Sequence, residues 1–128
     1  ARTPPEIERA FSTMAQGNAG AVIVAADAFF NQQSRQVAEL AAKRRLPTMS
    51  VSREYVEAGD LISYGPNLAD SYRRAATYVD KILKGTKPGD LPVEQPTTFE
   101  LFISRKSAKA LGLTIPESLL ISAAKVID

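Results

Sequence analysis

Apolar positions along the chain switch between helical spacing and short unbroken runs, the pattern of helices interleaved with buried strands. Thr3-Pro4-Pro5-Glu6 reads as a helix start, with Thr3 as N-cap, proline in the first turn and Glu6 closing a capping box. Ile7, Ala10, Phe11 and Met14 continue at helical spacing until Gly17 ends the run. Ala21 to Ala26 is continuously apolar, which predicts a strand covered on both faces. Phe30, Val37, Leu40 and Ala41 mark a second helix, from residue 30 to about residue 45, stopped by Leu46-Pro47. Thr48 to Val51 predicts a second strand, Arg53 to Ala58 a short helix ending at Gly59, and Leu61 to Tyr64 a third strand.

Asn67 and Asp70 form the next capping pair, followed by Leu68, Tyr72, Ala75, Ala76, Val79, Ile82 and Leu83 on one stripe. Lys81 and Lys84 occupy its last turn and Gly85 lies just beyond. Residues 86 to 97 hold Pro88, Pro92 and Pro96 and predict a long connection. Phe99 to Ile103 alternates as a strand, Ser104 can cap a short helix to Leu111, and Pro116 opens a last short helix through about Ser122. Strands alternating with helices imply an α/β fold, a parallel sheet with flanking helices. In such sheets ligands sit beyond the carboxyl ends of the strands. That rule nominates Ala26-Asp27, Ser52-Arg53 and the segment from Tyr64 to Asn67 as the recognition edge.

Composition narrows the chemistry. The chain has 128 residues, 45% of them hydrophobic and 23% charged, the profile of a globular domain. It contains no cysteine and no histidine, which removes thiol nucleophiles, imidazole bases, disulfides and the usual zinc and Fe–S ligand sets. The net charge is +2, and residues 1 to 64 carry seven basic and seven acidic side chains against nine and seven in residues 65 to 128. The basic clusters Lys43-Arg44-Arg45, Arg73-Arg74 and Arg105-Lys106 lie far apart and lack interleaved aromatics, so no nucleic-acid partner is expected. No apolar run of about 18 residues suggests a membrane span. No leader peptide is in view, and the lack of cysteine fits a secreted or periplasmic setting.

The catalytic motifs dissolve on inspection. Ser122-Ala123-Ala124-Lys125 matches an S-x-x-K pattern without its companion elements, and Gly17-Asn18-Ala19-Gly20 has no lysine for a phosphate cradle. Four positions carry recognition chemistry instead, each with a plainer alternative. Asp27 can cap the following helix or present a carboxylate to a ligand amine or hydroxyl. Arg53 can be a surface arginine or hold a carboxylate in two parallel hydrogen bonds. Phe29-Phe30 can be core or a stacking surface, with core favoured by position. Around Tyr64 a turn needs Gly65 and Pro66 but does not need the tyrosine.

Three longer stretches carry a family likeness: Ala26-Asp27-Ala28-Phe29-Phe30-Asn31, Ser63-Tyr64-Gly65-Pro66-Asn67 through Ala75, and Ile82-Leu83-Lys84-Gly85 through Asp90-Leu91-Pro92 to Gly112-Leu113-Thr114-Ile115-Pro116. Together they resemble ABC-transporter substrate-binding proteins of the tryptophan- and tyrosine-binder type. The resemblance implies the type I periplasmic-binding fold, with two α/β lobes joined by crossing strands around a ligand cleft, and matches its C-terminal portion only, as expected of a truncated or deliberately cut chain. Residues 1–64 would then belong to the second lobe, 65–97 to a hinge crossing with a helix docking on the first lobe and a return connection, and 98–128 to the final strand and helices. Asp27, Phe29 and Arg53 would face the cleft, with Tyr64 and Asn67 at the hinge. The implied function is the solute-binding component of an ABC importer, periplasmic or otherwise extracytoplasmic, non-catalytic and without cofactor or metal. Its ligand would be an amino acid or an aromatic or carboxylic acid, and its partners a permease and an ATPase. The alternative is the ligand-sensing domain of a regulator with the same fold. The stripe Leu68, Tyr72, Ala76, Val79 and Leu83 is expected to be buried by a second copy of the chain, giving a homodimer.

Overall fold

Interleaved helices and short strands are what the chain forms. A computed structural model describes all 128 residues. The strands are β1 (Val22–Ile23), β2 (Thr48–Ser50), β3 (Ile62–Pro66), β4 (Phe99–Ser104) and β5 (Lys125–Ile127). The helices are α1 (Pro4–Gln16), α2 (Ala28–Gln32), α3 (Ser34–Arg44), α4 (Arg53–Ala58), α5 (Leu68–Leu83), α6 (Arg105–Leu111) and α7 (Glu117–Ser122), with one 3-10 turn at Pro88–Asp90. The sheet order is β1-β2-β3-β4-β5. β1 pairs parallel to β2 with Val22 opposite Thr48, β2 parallel to β3 with Ser50 opposite Ser63, and β4 parallel to β5 with Ile103 opposite Val126. Ser104 N–H donates to the Leu61 carbonyl at 2.9 Å, so β4 ends beside the start of β3.

The chain divides into two units, residues 1–65 with 100–128, and residues 66–99. The first has its own core. Ile7 and Phe11 of α1, Val24 after β1, Val37 and Ala41 of α3, Leu46 before β2, and Tyr55 of α4 form one buried cluster, with Phe29 and Phe30 packed against it. Ile103 of β4 is fully buried. The second unit consists of α5 and the proline-rich strap that follows it, and no residue of α5 is buried.

Four expectations need correction, and one strand was not anticipated. Thr3 makes no side-chain cap; the Glu6 carboxylate accepts from the Arg2 N–H at 2.8 Å, so the capping box does not close. The strand around Val22 is not covered on both faces, because β1 is an edge strand with a neighbour on one side only and Ile23 is 78% exposed. The helix expected from residue 30 begins earlier, at Ala28, and breaks at Gln33, whose N–H is shared between the Phe29 and Phe30 carbonyls at 3.1 and 3.0 Å. Phe29 and Phe30 both lie in α2, ahead of the break, and both pack partly against the core. The connection at 86–97 is interrupted by the 3-10 turn. Lys125–Ile127 forms an edge strand that its three residues were too few to announce.

Candidate functional site

Because β1, β2 and β3 are mutually parallel, their carboxyl ends open on one edge of the sheet. Asp27 and Arg53 follow β1 and β2, and Tyr64 lies inside β3, one residue past its last ladder pair with β2. Asp27 is the N-cap of α2: its carboxylate accepts from the Phe29 N–H at 2.8 Å while the residue remains exposed. One oxygen thus caps the helix and the other is left for solvent or a ligand, so the two readings of Asp27 are compatible. Phe29 and Phe30 are half-buried, their ring centroids 5.6 Å apart in a tilted pair, and both pack on the core, which favours the structural reading of Phe29.

Arg53 opens α4. Its side chain is 57% exposed, and its Nε lies 3.8 Å from carboxylates of both Glu54 and Glu57. Those distances exceed a charge-assisted hydrogen bond, and such exposed pairs contribute little. The guanidinium therefore keeps a planar fork available at the sheet edge, within a locally acidic helix. Ser52 turns away from capping α4, its hydroxyl donating to the Glu54 carboxylate at 2.5 Å. Tyr64 is half exposed, between buried Ser63 and buried Gly65, as strand alternation dictates.

Sequence reasoning missed a buried pair in the first unit. Tyr55 and Asp60 are both 1% exposed, and neither the Tyr55 hydroxyl nor the Asp60 carboxyl has a hydrogen-bond partner. Burial pushes the Asp60 carboxyl up to about 6, with the Thr48 hydroxyl close enough to oppose the shift in part. Burial, and then the carboxyls of Asp60 and Asp27, push the Tyr55 phenol up to about 12. Asp60 is thus a carboxyl held largely neutral in acid, just past the C-terminal end of α4, where its N–H donates to the Tyr55 carbonyl at 2.9 Å. Its only sequence signal was an acidic residue directly before an apolar strand, which a turn explains equally well.

Asn67 belongs to the other unit. Its side-chain oxygen accepts from the Asp70 N–H at 3.0 Å and caps α5, the role that the pattern predicted. In this unit the strap is tied to α5 by the Tyr78 hydroxyl, which donates to the Pro92 carbonyl at 2.7 Å, and by the Arg74–Glu94 ion pair. Between helix and strap runs a groove of about 450 Å³, touched by Asn67, Arg74, Tyr78 and Glu94 but by none of the other candidates. Size does not make it the site, since it is a furrow of one amphipathic helix whose apolar stripe stands open: Tyr72 is 76% exposed and Leu83 82%. No group of three acidic side chains is placed to hold a metal, and no helix is long and apolar enough to cross a membrane.

The structure thus defines a mostly parallel α/β unit, with Asp27 and Arg53 following strands at its carboxyl edge, and a second unit of one long helix with a proline-rich strap. The chain belongs to the ABC transporter substrate binding protein family, whose model matches residues 1–127. Among solved structures it is similar to a conserved domain protein from Vibrio cholerae, at 26% identity and a TM-score of 0.91 over 98% of this chain and 42% of that one. It is also similar to an ABC domain from Streptococcus pneumonia in complex with L-Trp, at 29% identity and a TM-score of 0.90 over 99% of this chain and 44% of that one. A ligand-free, open substrate binding protein with adhesive properties from Clostridium difficile shares the fold at 24% identity and a TM-score of 0.63, over 97% of this chain and 42% of that one. The chain therefore spans less than half the length of these structures. No curated protein matches it.

Proposed function

We propose that the chain is part of the solute-binding component of an ABC importer and contributes one wall of a cleft for a small organic ligand, an amino acid or an aromatic or carboxylic acid. The observation that carries this reading is the convergence of an exposed carboxylate at Asp27, a guanidinium with an open fork at Arg53 and a half-exposed aromatic ring at Tyr64 on the carboxyl edge of three parallel strands. A carboxylate for an ammonium, an arginine for a carboxylate and a ring for an apolar side chain are the three groups that a free aromatic amino acid needs. The L-Trp complex of the Streptococcus relative supports the class of ligand. On this reading the remaining wall comes from the rest of a longer extracytoplasmic protein, which closes on its ligand and presents the closed form to a permease and its ATPase. The protein works by binding, not by turnover.

The test is a thermal-shift panel of amino acids and aromatic acids on the full-length protein, repeated with Arg53→Ala. At least one aromatic amino acid raises the melting temperature, and the variant loses most of that rise for ligands bearing a carboxylate. An unchanged shift in the variant removes Arg53 from the site, and a panel without any response removes the ligand class.

A further inference from the structure

Gly65 differs from the other six glycines. A Cβ built on it would lie 1.8 Å from the Val51 carbonyl oxygen, 2.8 Å from that carbonyl carbon and 3.2 Å from the Val51 Cα. At no other glycine would a Cβ come closer than 3.4 Å to a neighbour. The obstruction is backbone on both sides, so no rotamer change relieves it. Nor is the need conformational, since Gly65 is not among the residues with positive φ. Only close approach explains the residue.

The two partners of this contact flank the candidate edge. Val51 follows the last laddered pair of β2 and β3, Ser50 with Ser63, and leads directly into Ser52 and Arg53. Gly65 follows Tyr64, and Pro66 after it restricts Gly65 to extended backbone. We infer that the backbone contact between Gly65 and Val51 sets the spacing between the Arg53 loop and the Tyr64 ring, making Gly65 a positioning residue of the ligand edge. A methyl group here must push two main chains apart by more than 1 Å to reach ordinary contact, and recognition sites tolerate roughly half an ångström. Gly65 touches no ligand; it acts through Val51. This inference rests on the reading that the edge binds a small ligand, but the contact itself can be tested without one.

Gly65→Ala is compared with wild type and with Gly20→Ala and Gly89→Ala, where the added methyl would meet nothing within 4 Å. The first readout is ligand-free: backbone amide shifts of Ser52, Arg53, Glu54 and Tyr64 move in Gly65→Ala and stay in place in both controls. The second is the affinity for L-tryptophan of the full-length protein by calorimetry, expected to fall at least tenfold in Gly65→Ala alone. Amides that do not move overturn the inference. So does unchanged affinity in a variant whose amides have moved. A wild type that binds no tryptophan counts against that ligand, and the amide readout still decides the contact. If Gly65→Ala does not fold, wild type is titrated instead: the Gly65 amide must respond at the same midpoint as Arg53, and a silent Gly65 overturns the inference.

Discussion

The two units bury their apolar residues in opposite ways. In the first, α1, α3 and α4 direct Ile7, Phe11, Val37 and Tyr55 inward, and Ile103 of β4 is fully buried. In the second, α5 is the longest helix and carries a clean apolar stripe, yet Leu68, Tyr72, Val79, Ile82 and Leu83 are all exposed. Amphipathicity has the same origin in both, but only in the first unit are the apolar stripes buried. A helix of 16 residues with no buried side chain draws its stability from propensity, its Asn67 cap and a few local bonds, which is marginal in water. The contrast separates a unit stabilised by its own core from one held mainly by local contacts.

Truncation separates the two regions most sharply. Ile103→Ala removes a fully buried side chain and is expected to cost about 2 to 5 kcal/mol in urea denaturation. Leu83→Ala, at a site 82% exposed, is expected to stay within about 0.5 kcal/mol. A cost above about 1 kcal/mol at Leu83 would show that something covers the stripe in solution and would dissolve the comparison.

A smaller effect lies inside the first unit. Asp60 has its carboxyl raised from 3.8 to about 6. The folded chain therefore holds this proton more tightly than the unfolded one. The stabilising contribution is complete below about pH 4 and is lost as the pH rises through 6, amounting to about 2 to 3 kcal/mol. Asp60→Asn has no charge to bury at any pH. It should match wild type near pH 4 and exceed it at pH 8, read as urea midpoints at the two values. An equal gap at both would mean that Asp60 is solvated or paired when ionised.

Which features could be read from residues alone follows the same division. Periodicity is a local signal, so α1, α4, α5 and α6 and the strands β2 to β4 were legible, as was the edge on which Asp27, Arg53 and Tyr64 lie. What failed was decided by partners distant in sequence. Whether the run at Val22 is buried on both faces depends on a strand beside it, and β5 exists because Ala124 N–H donates to the Leu101 carbonyl at 2.8 Å. Asp60 and Gly65 were invisible for the same reason. Burial of the one and the 1.8 Å approach to Val51 of the other are tertiary facts, while a turn before a strand and a glycine before a proline are ordinary local sequence.

The weakest interaction is the best probe of how the second unit keeps its shape. Arg74 and Glu94 are exposed, and each holds the other charged: hydrogen bonds from Arg74 and then Tyr78, with the Arg74 charge behind them, keep the Glu94 carboxyl below its usual range. A depressed carboxylate contributes above its ordinary range, and its contribution disappears as the pH falls through the lowered value. Exposed pairs barely move global stability, so urea midpoints of Glu94→Gln should match wild type. The local consequence differs. With the ion pair gone, the strap loses its charge-assisted tie while the Tyr78 hydroxyl stays on the Pro92 carbonyl, so amide exchange at 93–97 should speed up in Glu94→Gln at pH 7, and in wild type at low pH or high salt. The amides of β4 should not change in either case. If strap and β4 accelerate together, the strap is not an independently opening segment, and the second unit shares the cooperativity of the first.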